Sequence, residues 1–131
     1  MPKKEYQVYQ NNDSWVPSTS NLSPKMKEIV NDKVINHIKH NPYDSEYLRM
    51  GLEGLRSYNK LETDSRIIFA ICEECRKNGF ETANNCKDCK NISDNSVMLF
   101  AFGGHDLYEK LGRQRSKVVE KARKLRLRRR H

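Results

Sequence analysis

Two continuous apolar segments restrict the fold of this chain more than any other feature of its sequence. The first is "RIIFAI" at 66–71, which is rich in β-branched residues, and the second is "VMLFAF" at 97–102. Each has the length and composition of a buried strand. All of the cysteines lie between the two segments. If the strands pair, this intervening segment is a long connection between neighbours, and ordering it carries an entropic cost.

The clearest helix is predicted over residues 23–40, "SPKMKEIVNDKVINHIKH". Ser23 is a favourable N-cap, Pro24 suits the first helical position, and Pro42 ends the helix. One apolar stripe at helical spacing is formed by Met26, Ile29, Val30, Val34, Ile35 and Ile38. A second, shorter helix is predicted over 44–56, and its core-facing residues are Tyr47, Leu48, Leu52 and Leu55.

The remaining segments complete an α+β pattern. Residues 1–22 are expected to form an N-terminal arm or an edge strand, and a final helix is expected from about Asp106 to Leu127. Because helices come first and the apolar strands follow, we predict an α+β fold with an antiparallel sheet. The 131 residues suit one small domain, placed at 23–112, with a basic C-terminal helix or tail at 113–131.

The cysteines form two CxxC pairs, Cys72 with Cys75 and Cys86 with Cys89, separated by ten residues. Each short pair can direct both sulfurs to one point, and the intervening loop returns the chain, so the four thiolates can close around one Zn²⁺. Zinc with four thiolate ligands has no coordination position left for water, so the predicted site is structural. The zinc-binding hairpin at 72–89 would then offset the entropic cost of the long connection.

Two other interpretations of the cysteines remain open. One is a pair of disulfides, which a cytosolic compartment disfavours. The other is a thioredoxin-like redox motif, which requires a CxxC pair that opens a helix. The pattern instead predicts that the first pair ends a strand, so zinc is the preferred interpretation.

Basic residues are concentrated at the C-terminus. The segment 113–131 holds ten of the 25 Lys and Arg residues and one of the 17 acidic residues. The rest of the chain is therefore close to neutral, with fifteen basic and sixteen acidic residues. Such a tail attracts polyanions, and the predicted partner is RNA or the ribosome, with a membrane surface as the lesser alternative.

The sequence contains no apolar run of about 18 residues, the length that a membrane-spanning helix requires. The N-terminal segment "MPKKEYQVYQNNDSW" also lacks the apolar core of a secretory signal. A cytoplasmic location without membrane insertion is the resulting expectation.

The segments that flank the cysteines resemble the RelE/ParE family of toxins. The residues that carry the resemblance are the "LEGL" segment at 52–55, Arg66 at the start of "RIIFAI", and "GGHDLY" at 103–108 after the second strand. The resemblance covers about residues 24–112 once the cysteine insertion is set aside. It implies a RelE-like fold, in which an N-terminal helical hairpin packs on a small antiparallel sheet. It also places His105 and Tyr108 at the root of the final helix.

The resemblance also implies a function, that of a ribosome-dependent mRNA endonuclease. In such an enzyme the RNA 2′-hydroxyl attacks the adjacent phosphate. The implied catalytic residues are Arg66, His105, Tyr108 and Lys60. The implied RNA-binding residues are Arg56, Arg113, Arg115, Lys117, Lys121, Arg123, Lys124, Arg126 and Arg128. The implied partners are a cognate antitoxin, the ribosome and messenger RNA.

Two functions of other classes remain open. The cysteines and the basic tail are also compatible with a non-enzymatic, zinc-ribbon-like protein that binds nucleic acid or the ribosome. A catalytically inert RelE-like protein that acts through antitoxin binding is also compatible. The CxxC pairs are not a general feature of the RelE/ParE family, so the resemblance does not explain them.

Overall fold

The fold of the chain is built around one mixed sheet. The computed structural model describes residues 5–49, 51–61, 64–80, 91–104 and 106–129, apart from the side chains of Val119 and 122–129. The described elements in chain order are β1 (Gln7–Gln10), α1 (Trp15–Thr19), α2 (Pro24–Lys33), a π-helical turn (Val34–Ile38), β2 (Glu46–Tyr47), β3 (Arg56–Tyr58), β4 (Arg66–Ile71), α3 (Cys72–Lys77), β5 (Ser96–Gly103) and α4 (Leu107–Arg129). The five strands lie in the order β1-β5-β4-β3-β2. An α+β fold was expected and is confirmed.

The two apolar segments form the central strands β4 and β5, which pair antiparallel as predicted. The register changes once, because Ile68 lies opposite Ala101 while Phe69 lies opposite Leu99, which leaves Phe100 as the bulged residue. Nearly every residue of the two strands is buried. The continuous apolar composition therefore reflects a strand pair that is covered on both faces.

The sheet is not entirely antiparallel, which corrects the prediction. Strand β1 lies at an edge, as expected, but it runs parallel to β5. Two hydrogen bonds hold its ends in this direction: Gln7 N donates to Asn95 O at 2.9 Å, and Asn11 N donates to Leu99 O at 2.9 Å. The parallel direction of β1 was not predictable from its sequence, because the alternation of side chains along a strand indicates which of them are buried and not the direction of the neighbouring strand.

Helix α2 begins as the sequence predicts. The Ser23 hydroxyl accepts a hydrogen bond from Met26 N at 3.2 Å, and Pro24 occupies the first helical position. Val30, Val34 and Ile38 are buried, whereas Ile35 is 50% exposed, so the stripe prediction is wrong at Ile35. Val34 and Ile35 belong to the π-helical turn, so the residues here do not keep the α-helical spacing from which the stripe was predicted.

The helix predicted over 44–56 is wrong, and with it the predicted helical hairpin. This segment instead forms a β-hairpin in which β2 and β3 pair antiparallel, and Leu48 N donates to Leu55 O at 3.0 Å. Gly51 and Gly54, with φ of 93° and 91°, turn the chain between the two strands. Leu48, Leu52 and Leu55 are nevertheless buried, as predicted. Their spacing suits a helix, but both glycines have a backbone conformation that a helix does not contain.

The two faces of the sheet are covered by different parts of the chain. On one face α1, α2 and the π-helical turn contribute Trp15, Val30 and Ile38 to the core. On the other face the β2–β3 hairpin and α4 contribute Leu52 and Leu107, among others. Helix α4 extends over Leu107–Arg129, close to the helix expected over 106–127. No helix among the described residues is long and apolar enough to cross a membrane.

The two hairpin glycines allow a matched test of this packing. A Cβ added at Gly54 would lie 2.7 Å from the Phe80 ring, whereas one at Gly51 would meet nothing within 4 Å. Both positions have a positive φ, so both alanine variants carry backbone strain. We expect Gly51→Ala to cost about 1 kcal/mol and Gly54→Ala about 3 kcal/mol, because the second also displaces Phe80. Urea unfolding followed by circular dichroism measures both, and equal losses would contradict the Gly54–Phe80 contact.

Candidate active site

Two of the residues predicted to be catalytic meet at one end of the sheet. Arg66 is the first residue of β4 and lies opposite Gly103, the last residue of β5. Tyr108 lies in the first turn of α4, which begins shortly after β5. The guanidinium carbon of Arg66 lies 4.9 Å from the centre of the Tyr108 ring, within the range of a cation–π interaction. Both side chains are half-buried, so the pair lies at the protein surface.

The hydroxyl of Tyr108 points into the protein. It is hydrogen-bonded to the Ser57 hydroxyl at 2.9 Å, and Ser57 lies on β3 with none of its surface exposed. Ser57 was not predicted from the sequence. A single serine within "RSY" has no pattern that indicates burial, and its partner is 51 residues away in the chain.

Lys60 leaves the sheet at the same end as Arg66. Strand β3 ends at Tyr58, which pairs with Ile67, the residue that follows Arg66. The Lys60 ammonium lies 3.3 Å from the Asp44 carboxylate, and both side chains are largely exposed. His105 lies outside the described residues, so its predicted role stays a prediction.

The side chain of Arg56, predicted to bind RNA, is mostly buried and contacts other groups of the protein. Its guanidinium forms an ion pair with Glu74 at 2.8 Å, in which the two side chains are only 13% and 12% exposed. It also donates to the Ser45 carbonyl at 2.7 Å, and its central carbon lies 5.1 Å and 5.5 Å from the ring centres of Tyr43 and Tyr47. Burial, and then the nearby carboxylates of Glu73 and Glu74, raise the pKa of Tyr43 above its usual value. Arg56 therefore connects β3 to α3 and to the chain before β2.

The basic residues of α4 fall into two groups. Arg113, Lys117 and Lys121 are exposed, as an RNA-binding surface requires. Arg115 is 8% exposed, and its guanidinium donates to the carbonyls of Gly51, at 2.9 Å, and Glu53. Burial lowers the pKa of Arg115 below its usual value. We therefore assign Arg115 to packing of α4 on the β2–β3 hairpin.

The other basic residues predicted to bind RNA lie further along α4. The structure describes the backbone of the helix here, but it does not describe the side chains of these residues. They are Arg123, Lys124, Arg126 and Arg128. Their role in RNA binding stays a prediction.

The first CxxC pair lies on a helix. Cys72 and Cys75 are the first and fourth residues of α3, and both are buried. The expectation that this pair does not open a helix is wrong, because the chain turns into α3 directly after β4. Cys86 and Cys89 lie outside the described residues. Among the residues that are described, no group of three or more potential ligands could hold a metal ion, and the zinc site stays a prediction.

Arg56 and Lys60 provide a matched test of ion-pair burial. We expect Arg56→Ala to lower the free energy of unfolding by about 3 kcal/mol, because Glu74 then remains buried without its cation. Lys60→Ala should cost less than about 0.5 kcal/mol, since its pair with Asp44 is exposed to solvent. Chemical denaturation of both variants and the parent gives the two values. If Arg56→Ala were no less stable than Lys60→Ala, the structural role of Arg56 would be wrong.

Comparison with known proteins gives a likeness in fold. No protein-family model matches the sequence, and no curated protein matches it. The structure is similar to one chain of the crystal structure of the RelBE2 toxin–antitoxin complex from Mycobacterium tuberculosis, with a TM-score of 0.55 and 14% sequence identity. The likeness covers 79% of this chain and 95% of that chain. It supports a RelE-like fold, as the motifs around Arg66 and Tyr108 led us to expect.

Proposed function

We propose that the chain is the toxin of a toxin–antitoxin pair and that it cleaves messenger RNA on the ribosome. The observation that carries the proposal is the contact between Arg66 and Tyr108, at 4.9 Å, beside the end of β5. His105 follows Gly103 and Gly104 in the sequence. The RelE-like fold and its likeness to a chain of a toxin–antitoxin complex favour this function over that of a zinc-ribbon module.

The proposed reaction is attack of an RNA 2′-hydroxyl on the adjacent phosphorus. The bond from phosphorus to the 5′-oxygen breaks, which leaves a 2′,3′-cyclic phosphate and a free 5′-hydroxyl. His105 is proposed for proton transfer, since histidine changes its charge near neutral pH. Arg66 is proposed to stabilise the charge that develops on the phosphate oxygens, because a guanidinium offers several fixed donors.

Tyr108 and Lys60 have supporting roles in this proposal. The aromatic ring of Tyr108 can stack on a base of single-stranded RNA. Lys60, exposed at the same end of the sheet, adds positive charge for phosphate groups. We propose that Arg113, Lys117 and Lys121 on α4 contact phosphates of ribosomal RNA. A cognate antitoxin would then bind the toxin and prevent this activity.

The experiment that tests the enzymatic proposal is inducible expression combined with a cleavage assay. We expect the parent chain to arrest growth and to cut mRNA on purified ribosomes, leaving a cyclic phosphate and a 5′-hydroxyl. Arg66→Ala and His105→Ala should each lower the cleavage rate by about a hundredfold or more and relieve the arrest, because each removes a group that acts in the transition state.

Lys27→Ala is the control for that experiment, because Lys27 is an exposed cation on α2, on the opposite face of the sheet from α4. It should leave both growth arrest and cleavage unchanged at equal protein abundance. If the Arg66 and His105 variants were as toxic as the parent, the catalytic assignment would be wrong. Ribosome binding without cleavage by the parent would indicate the non-enzymatic alternative.

We also propose that Cys72, Cys75, Cys86 and Cys89 hold one structural Zn²⁺. Cys72 and Cys75 are three residues apart on α3, a spacing that places two side chains on the same face of a helix. Both thiols are buried at the start of the connection to β5, where a metal would close the long segment between the central strands. This role is structural and leaves the proposed RNA chemistry to other residues.

Metal analysis tests the zinc proposal. We expect about one zinc per chain in protein purified without chelator, and removal of the metal should lower the melting temperature. Cys72→Ser should lose the bound zinc, whereas Ser93→Ala, outside the cysteine pairs, should retain it. Four free thiols and no bound metal in anaerobically purified protein would refute the site.

A further inference from the structure

We propose that Ser57 is a positioning residue of the candidate active site. Through the hydroxyl of Tyr108 it holds the aromatic ring, and the ring in turn holds the guanidinium of Arg66. In this arrangement the ring face of Tyr108 contacts Arg66, and its hydroxyl fixes the side chain by bonding to Ser57 and does not donate a proton in the reaction. The effect on RNA cleavage rests on the proposed function, whereas the effect on the position of Arg66 does not.

The sheet register places the three side chains on one face. Ser57 pairs with Ile68 across β3 and β4, and paired residues of antiparallel strands project to the same side. Arg66 lies two residues before Ile68 on β4, so it projects to that side as well. Ile68 belongs to the core cluster that α4 covers, and Tyr108 packs against the same cluster. Ser57, Tyr108 and Arg66 therefore meet between the sheet and the first turn of α4.

The buried position of Ser57 indicates what its hydroxyl does. A hydroxyl without exposed surface in an apolar core is unfavourable unless it is hydrogen-bonded. The hydroxyl of Ser57 meets that of Tyr108 at 2.9 Å, which is a normal hydrogen-bond distance. Since Ser57 lies in a strand of the central sheet, its position is set by the backbone. The hydrogen bond therefore fixes the hydroxyl end of the Tyr108 side chain against the sheet.

Fixing that end of the ring sets the position of the ring relative to Arg66. The hydroxyl oxygen of a tyrosine lies on the line through its Cβ and Cγ atoms, so a hydrogen bond at this oxygen fixes the direction of the side chain and its rotamer about the Cα–Cβ bond. The guanidinium carbon of Arg66 lies 4.9 Å from the ring centre, where the attraction depends on the orientation of the ring face. A rigid guanidinium needs little reorganisation when charge develops on a phosphate. This arrangement requires the hydroxyl of Tyr108 to remain bonded to Ser57.

The first arm of the experiment needs no RNA. In the parent, the ring current of Tyr108 should shift the side-chain NMR signals of Arg66 upfield. We expect Ser57→Ala and Tyr108→Phe to move these signals towards their positions in Tyr108→Leu, which has no ring. The double variant Ser57→Ala/Tyr108→Phe should show no further change, because both single variants remove the same hydrogen bond.

Ser96→Ala is the matched control. Ser96 is also completely buried in the sheet, and its hydroxyl is hydrogen-bonded to the Ser93 hydroxyl at 3.0 Å. Ser96 is the first residue of β5, whereas Gly103, which lies opposite Arg66, is the last. This variant therefore removes one buried hydroxyl pair at the far end of the strand. It should leave the Arg66 signals unchanged, even if its stability falls as much as that of Ser57→Ala.

The second arm measures cleavage by the same variants. Ser57→Ala and Tyr108→Phe should each lower kcat by about tenfold or more while KM stays within about twofold, since the guanidinium acts in the transition state. The double variant should match the single variants, and Ser96→Ala should match the parent. Additive losses in the double variant would show that the Tyr108 hydroxyl has a separate role and would overturn the proposal.

The two arms separate failure of this proposal from failure of the proposed function. If the Arg66 signals in Ser57→Ala stay where they are in the parent, Ser57 does not position the site, whatever the cleavage data show. If those signals move but the parent does not cleave RNA, the positioning role stands and the nuclease function is wrong.

Discussion

The antiparallel pairing of β4 with β5 is the interaction on which the rest of the structure depends. Strand β1 pairs with the outer edge of β5, and β3 pairs with the outer edge of β4. The helices and the β2–β3 hairpin cover the two faces of this central pair. The same pairing sets Arg66 beside Gly103, which brings the root of α4 to the start of β4. The proposed active site therefore exists only where the two most apolar segments of the chain meet.

Three arginines show how burial decides the role of a charge. Arg56 and Arg115 lie mostly inside the protein, where their guanidinium groups bind the Glu74 carboxylate and backbone carbonyls. Arg66 is half-buried beside an aromatic ring at the rim of the sheet. From the sequence, Arg66 was expected to be catalytic, and both Arg56 and Arg115 were expected to bind RNA. Only the depth of each side chain separates packing from a potential contact with RNA.

The candidate site was partly predictable. The motifs around Arg66 and Tyr108 indicated that these residues act together, and the structure places them in contact. Lys60, which was also predicted, leaves the sheet at the same end as Arg66. Ser57 was not predicted, because a single buried polar residue produces no periodic pattern in a sequence. His105, Cys86 and Cys89 lie outside the described residues, so their assignment still rests on the sequence pattern and the resemblance.

The sequence alone determined the features that depend on neighbours along the chain. These are the two buried strands, the helix start at Ser23 and Pro24, and the burial of the leucines at 48–55. The tertiary structure decided that 44–56 is a β-hairpin, that β1 runs parallel to β5, and that Arg115 is buried. Local spacing reports which side chains avoid water, but the element that forms depends on hydrogen bonds between segments that lie far apart in the chain.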